Sequence, residues 1–372
     1  LSLIVIFRHL PGDTGGAAII IRNLFKYADE KVVIAGRKPR YTSQPDDVNY
    51  KKIELPLSDR NEGRLRKFKL FWQSVQLCLQ EIRKNKQQKI LGVYRDESSF
   101  ILSFVISILS GRPLFAYMTD LYAENYNSRY RRLFQYLIFL RCTKIFCLNQ
   151  SMKEHYINIG YKKVEVIPST ITTTIPFKKA TYNGGVFRIV FSGSIVYDRL
   201  DMLQQLVSVI ADRPEFELIF YSPQNEEFLK SNQLWASNVR REFLTNPADL
   251  LNSLQDAHLL YLPLTFAKPN DQRGYLQLKT CMGTKSYEYM QSGVPILVHS
   301  PAEYYTYQFF QEKSAAILLN SSDINDLRSM LNELRINFTA HRKVAEQAFI
   351  KLEEHQSLPN LVRLQKLMRL AN

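Results

Sequence analysis

Lys285 and Glu288 stand three residues apart in "TCMGTKSYEYMQSGVPILVHSP", the stretch from Thr280 to Pro301. Thr284 reads as an N-cap and Gly293, just before Pro295, as a stop, so Lys285 falls in the first turn of a helix. A cation there opposes the helix dipole unless an anion is bound beside it. Glu288 lies on the same helical face as Lys285. Two kinds of chemistry fit this spacing. In one, the two side chains form an ion pair worth about 0.2–0.5 kcal/mol. In the other, Lys285 and the amides of Thr284 to Ser286 hold a diphosphate while Glu288 accepts hydrogen bonds from ribose hydroxyls. Spacing alone leaves both open.

Two further stretches could approach an anion. In "RHLPGDTGGAAIIIRNLF", Gly15 and Gly16 precede a helix, where free amides favour phosphate and glycines allow close backbone approach. A simple tight turn is the competing explanation. In "IVFSGSIVYDRLDMLQQLVSVI", a strand leads to Gly193, Ser194 and then Arg199 at the start of a helix. Arg199 is either a cation at a binding cleft or a solvated surface arginine.

These residues need a scaffold, and the chain supplies alternating strands and helices. Candidate strands are "SLIVIF", "KVVIAG", "KILGVY", "PLFAYM", "KIFCLN" and "VEVIP", then "FRIVFSG", "FELIFY", "AHLLYLP", "VPILVH" and "AAILL". Most are short apolar runs without polar alternation, as parallel strands covered on both faces require. The pattern predicts an α/β protein of two doubly wound, Rossmann-like domains. With 372 residues the chain suits two such cores. The threonine-rich seam "TITTTIPFKKATYNGG" places the boundary near residue 180, giving domains 1–180 and 181–372.

Composition narrows the classes. An apolar fraction of 45% and a charged fraction of 23% describe a globular chain. The longest apolar run, "FILSFVISIL", is too short to span a bilayer and reads as a buried helix. "LSLIVIF" reads as a first strand rather than a signal peptide, which predicts a cytoplasmic protein. Cys78, Cys142, Cys147 and Cys281 have no C-x-x-C spacing and fit reduced core thiols, and the six histidines are scattered, so no metal site is expected. Residues 1–180 carry 30 Lys and Arg against 15 Asp and Glu, whereas 181–372 carry 19 against 20. The basic first half implies an acidic partner, nucleic acid or an anionic membrane.

The order of "PGDTGG", "CLNQSMKEHYINIGYKKVEVIPSTI", "FSGSIVYDRLDML", "NPADLLNSLQDAHLLYLP" and "GTKSYEYMQSGVPIL" resembles the GT-B glycosyltransferases, within them the retaining glycosyltransferase family 4, over nearly the whole chain. The resemblance implies a GT-B fold, its two domains facing across a cleft, with the last helix packing back on the N-terminal domain. It makes Gly15 and Gly16 the turn that approaches the donor phosphates and Arg199 a diphosphate-binding residue. Ser194 stands where many members carry an arginine. "VRREFLTN", around Glu242 and Phe243, resembles the segment whose backbone contacts the base. Glu288 matches the second glutamate of the E-x7-E motif, the one that binds ribose, but Thr280 occupies the place of the first. "GTKSYEYM" is closer to a subgroup with Thr-Lys or Ser-Lys before Glu-Tyr, so the departure reads as divergence. Asp120 in "LFAYMTDLYAENY" resembles the cleft position facing acceptor or sugar, where a carboxylate could orient a nucleophilic hydroxyl; a helix N-cap is the alternative.

The implied reaction is transfer of a sugar from a nucleotide diphosphate sugar, UDP- or GDP-linked, to a hydroxyl, with retention at the anomeric carbon. Helix ends, Arg199 and Lys285 would balance the departing diphosphate. No D-x-D pattern occurs, so metal independence is expected, with no cofactor. Along "RNEGRLRKFKLFWQSVQLCLQEIRK", Leu65, Phe68, Trp72, Val75, Leu79 and Ile82 recur at helical spacing beside Arg64, Arg66, Lys67 and Lys69. Such a stripe is either core packing or a membrane-surface face. "RYRRLFQYLIFLR" repeats it. Together they favour a lipid-linked acceptor at the inner face of the cell membrane, as in envelope polysaccharide or glycoconjugate assembly. A nucleotide-sugar epimerase and a catalytically silent sugar-nucleotide-binding scaffold are the alternatives. Nucleic-acid binding fits the charge but no motif.

Overall fold

The computed structural model describes residues 2–11, 16–38, 48–57, 62–94, 97–121, 128–172, 175–244, 246–266 and 272–370. In chain order the first elements are β1 (Leu3–His9), α1 (Gly16–Leu24), β2 (Val32–Arg37), β3 (Lys51–Glu54), α2 (Arg64–Lys84), β4 (Lys89–Tyr94) and α3 (Glu97–Ser110). They continue with β5 (Leu114–Met118), α4 (Arg129–Arg141), β6 (Cys142–Cys147), α5 (Gln150–Asn158) and β7 (Val164–Val166). A second series runs β8 (Phe187–Ser192), α6 (Tyr197–Ile210), β9 (Phe216–Tyr221), α7 (Glu226–Ser231), β10 (Val239–Glu242), α8 (Pro247–Leu254) and β11 (Leu259–Pro263). It ends with α9 (Gln272–Thr280), α10 (Lys285–Ser292), β12 (Ile296–His299), α11 (Tyr305–Lys313), β13 (Ile317–Leu319), α12 (Ile324–Ile336), α13 (Phe338–Lys351) and α14 (Ser357–Arg369).

The chain divides into two compact units, Leu1–Thr172 with His355–Asn372, and Thr173–Glu354. The first is built on a seven-stranded parallel sheet in the order β3-β2-β1-β4-β5-β6-β7. β1 lies between β2 and β4, with Val5 opposite Ile34 and Leu91, and all three side chains are buried. The C-terminal α14 belongs to this unit: Lys89 Nζ donates to the Met368 carbonyl at 2.7 Å, and Ser357 Oγ donates to the Asn23 carbonyl. The second unit holds a six-stranded parallel sheet, β10-β9-β8-β11-β12-β13.

Each strand read from the sequence is a strand here. Two more were missed, β3 ("KKIE") and β10 ("VRRE"), and both are edges of their sheets. An edge strand needs only one neighbour and is commonly protected by charge, so it lacks the apolar run that marks central strands. α3 contains the apolar run "FILSFVISIL" and buries Phe100, Leu102 and Ile106 on the first sheet. No helix among the described residues is long and apolar enough to cross a membrane. Cys78, Cys142 and Cys147 are buried, and burial pushes the thiols of Cys78 and Cys147 up to about 12, so they are inert core groups.

Candidate functional site

The candidate residues of the second unit lie at the carboxyl ends of β8, β9 and β10 and at the start of α10. In an open parallel sheet this is the end where ligands bind, at the point where strand order reverses. Here β8 connects outward to β9 on one side, while β11 adds on the other.

The loop after β8 turns at Gly193, whose φ of +120° is a conformation that side-chain-bearing residues rarely adopt. The stem of Lys285 lies directly over this glycine: a Cβ built there would sit 3.5 Å from Lys285 Cε and 3.6 Å from Cγ. Lys285 Nζ then reaches Glu288 Oε2 at 2.7 Å, with the side chains 26% and 21% exposed. The ion pair anticipated from the spacing therefore forms, and it forms on the turn that ends β8. Behind it, the Ser192 amide donates to Tyr289 Oη at 2.7 Å, tying the strand end to α10. Burial pushes the Tyr289 phenol well up; the Ser192 bond and Arg199 act against that shift and Glu288 adds to it, which places both charges in its vicinity.

The start of α10 differs from the expectation in one respect. Thr284 occupies the cap position but has helical angles, φ −56° and ψ −28°, and its hydroxyl makes no cap bond. By contrast, Asn149, Asn225, Asn246 and Asp323 cap their helices through side-chain oxygens. The Ser286 amide is taken by the Gly283 carbonyl at 3.0 Å, and Tyr287 by Thr284 at 3.2 Å. The amides of Thr284 and Lys285 have no acceptor among the described residues. The buried hydroxyls Ser192 Oγ and Ser286 Oγ also lack a hydrogen-bond partner among the described residues. Buried polar atoms left this way are open to a bond from water or a bound group.

Arg199 is the third residue of α6, and Asp198 holds its guanidinium with two contacts, Nε–Oδ1 at 3.0 Å and Nη2–Oδ2 at 3.3 Å. Thr265, after β11, anchors this turn: its amide donates to the Asp198 carbonyl at 2.7 Å and its hydroxyl donates to Asp201 Oδ2. Ser194 is exposed on the loop before α6.

Gln224 joins this loop to the next strand. Its Oε1 accepts from the Ile195 amide at 3.2 Å and its Nε2 donates to the Ile195 carbonyl at 3.3 Å. Arg241 Nε donates to the Gln224 carbonyl at 2.9 Å, and its guanidinium lies 5.8 Å from the centre of the exposed Phe243 ring. The Glu242 carbonyl accepts from the Ser222 amide at 3.0 Å, and its side chain is exposed. Phe243, Arg241, Gln224, Ile195, Gly193, Lys285 and Glu288 thus form one continuous rim. Sequence reasoning missed Asp198, Gln224, Arg241 and Tyr289. Gln224 was within reach, because "YSPQN" follows strand β9 at its carboxyl end.

Thr280 closes α9 with only 4% of its surface exposed, and its hydroxyl donates to the Leu276 carbonyl at 3.0 Å. A buried helix end accepts a small hydroxyl more readily than a carboxylate. In the first unit, Gly16 opens α1 after β1, while Gly15 lies outside the described residues. Asp120 is half-buried just past β5, and the next described helix, α4, starts at Arg129 with Ser128 in the cap position.

No protein-family model matches the chain, and no curated protein sequence matches it. Solved structures do. A sucrose-phosphate synthase from Thermosynechococcus elongatus is 15% identical over 99% of this chain and 98% of its own, with a TM-score of 0.70. HepE from Anabaena, in complex with UDP and glucose, is 12% identical over 99% of both chains, with a TM-score of 0.72. The chain has the GT-B fold. The same fold covers 99% of this chain and 95% of a putative UDP-N-acetylglucosamine 2-epimerase from Listeria monocytogenes, at 14% identity and a TM-score of 0.62. At such identities GT-B likeness fixes the architecture and leaves the chemistry to the site.

Proposed function

We propose that this protein is a glycosyltransferase that moves a sugar from a UDP- or GDP-sugar to a hydroxyl acceptor, with retention at the anomeric carbon and without a metal ion. The observation that carries the proposal is Lys285 laid across the Gly193 turn, beside two open amides at the start of α10, in a GT-B chain. The amides of Thr284 and Lys285, the Ser286 hydroxyl, Lys285 and Arg199 would hold the diphosphate. As the sugar–oxygen bond breaks, negative charge builds on the leaving diphosphate, and fixed donors and cations stabilise it without reorganising. Glu288 would accept from the ribose hydroxyls, exchanging its bond to Lys285 for them. The backbone at Glu242 and Phe243 would meet the base, and Ser194 would face the donor. In the first unit, the start of α1 at Gly16 would favour an anion and Asp120 would orient the acceptor hydroxyl. A lipid-linked acceptor of envelope polysaccharide or glycoconjugate synthesis suits the basic first half.

Two observations keep other readings in view. One solved neighbour is named as an epimerase, which is the second reading, and Thr280 in place of the first motif glutamate suits a catalytically silent nucleotide-sugar-binding scaffold. Product analysis separates the cases. With donor, a panel of hydroxyl acceptors and a strong chelator, the proposal predicts a glycoside that keeps the donor's anomeric configuration. An inverted product or a metal requirement would refute it, an epimerised donor formed without acceptor would establish the second reading, and binding without turnover would leave a silent scaffold.

A further inference from the structure

The apolar stripe of α2 divides along its length. Val75, Cys78 and Ile82 are buried, and at that end Glu81 meets Lys51 and Lys84, each at 2.8 Å. From Arg64 to Gln73 no side chain is buried, and Leu65, Phe68 and Trp72 are 88%, 65% and 40% exposed. Phe68 and Phe71 meet Trp72 edge-on, with ring centres 6.1 and 6.3 Å apart, so the aromatic groups pack on one another in an exposed cluster. Arg64, Arg66, Lys67 and Lys69 are interleaved with them; Arg66 pairs with Glu62 at 3.4 Å, and no further acidic residue occurs before Glu81, so the net charge of this half is positive.

α4 repeats the arrangement. Tyr130, Leu133, Tyr136, Leu137 and Leu140 are exposed, and the helix carries four arginines and no acid. α3 packs against both α2 and α4. Arg131 of α4 pairs with Glu97 of α3 at 3.3 Å, and Arg141 donates to the Ser107 carbonyl at 3.3 Å. Right-handed crossovers between parallel strands put α2, α3 and α4 on one face of the first sheet.

We infer that the exposed half of α2 and the outer side of α4 form a docking surface for an anionic phospholipid bilayer. The partner must supply negative charge and accept apolar side chains at the same depth. A bilayer interface does both: headgroup phosphates take the arginines and lysines, while Trp, Tyr, Phe and Leu sit among headgroups and upper acyl chains. A second copy of this surface would bring the same net positive charge. The inference rests on exposure and charge in the first unit, so it stands or falls separately from the donor site.

The test uses the full chain carrying Trp235→Phe, which leaves Trp72 as the only one of the two tryptophans. With vesicles of mixed phosphatidylglycerol and phosphatidylcholine, and no donor or acceptor present, Trp72 emission shifts to the blue and the protein sediments with lipid. Raising salt from about 0.05 to 0.5 M, or replacing Arg64, Arg66, Lys67 and Lys69 by Gln, lowers partition about tenfold or more. All four positions are on the surface, and an unchanged melting curve confirms that the variant folds. No binding, equal and salt-insensitive binding to pure phosphatidylcholine, a Trp72 shift that follows protein concentration without lipid, or displacement from vesicles by a single-stranded polynucleotide would each overturn the inference.

Discussion

At the scale of single residues, the sequence singled out a side chain where it had an unusual place in its element. Lys285 at a helix start is one such case, because the dipole makes a cation there noteworthy. Tyr289 gave no comparable signal, since its bond to the Ser192 amide joins positions 97 residues apart, whereas Gln224 had only its place at a strand end to mark it. One half-buried and one buried histidine of the second unit, His258 and His299, add a pH dependence. His258 Nδ1 accepts from the Arg188 amide at 2.8 Å, and His299 lies between Tyr261 Oη at 2.7 Å and the Ser321 carbonyl at 2.6 Å. Burial lowers the pKa of both; Arg188 adds to the effect at His258, while the Ser321 bond and Asp201 oppose it at His299. In the unfolded chain a histidine titrates near about 6.5, so below that pH the unfolded state binds protons first and gains on the native state. Stability is therefore predicted to be full above pH ~6.5 and to fall as pH drops toward the lowered native values. Urea midpoints between pH 8 and 5 check this, and His258→Asn, whose side-chain oxygen can still accept the Arg188 amide, should flatten the slope. A midpoint that rises on acidification through this window would contradict it.

At the scale of elements, the sequence disclosed what is buried and concealed what lies at an edge or half out of the core. The central strands are apolar because helices cover both faces, whereas β3 and β10 are charged edges. The α2 stripe has one period throughout, so its pattern could not reveal that only the C-terminal half finds a core. The stop of α10 was legible, and the structure gives it a stronger reason. Gly293 has φ +73°, and a Cβ there would come within 2.5 Å of the Lys178 carbonyl and 3.0 Å of the Phe177 ring. The left-handed cap needs glycine, and so does the close passage of the segment before β8. Gly293→Ala is predicted to destabilise the protein by about 2–4 kcal/mol, combining backbone strain with a clash against main chain. Urea denaturation measures this; a loss under about 0.5 kcal/mol would mean that the segment at Lys178 yields freely.

At the scale of the whole molecule, two doubly wound units were readable from strand–helix alternation, and the GT-B architecture was readable from the order of motifs. Their chemistry was less so, because fold likeness at 12–15% identity carries no substrate. The charge asymmetry between the halves was visible as a count, but only exposure along α2 and α4 gave it a location. The central claim is that the rim from Phe243 to Glu288 binds a nucleotide diphosphate through Lys285 and its ribose through Glu288. Calorimetric titration of UDP, GDP and their nucleosides into the native protein, Lys285→Ala and Glu288→Gln tests it most directly. The account predicts that one diphosphate binds the native protein, and that Lys285→Ala weakens it far more than the matching nucleoside. Glu288→Gln should weaken both by about tenfold or more, through charge-assisted bonds worth roughly 1.5–3 kcal/mol, with thermal stability almost unchanged. Equal affinity in all three proteins, or no binding of either diphosphate to the native chain, would reduce Lys285 and Glu288 to an ion pair on a helix and contradict the account.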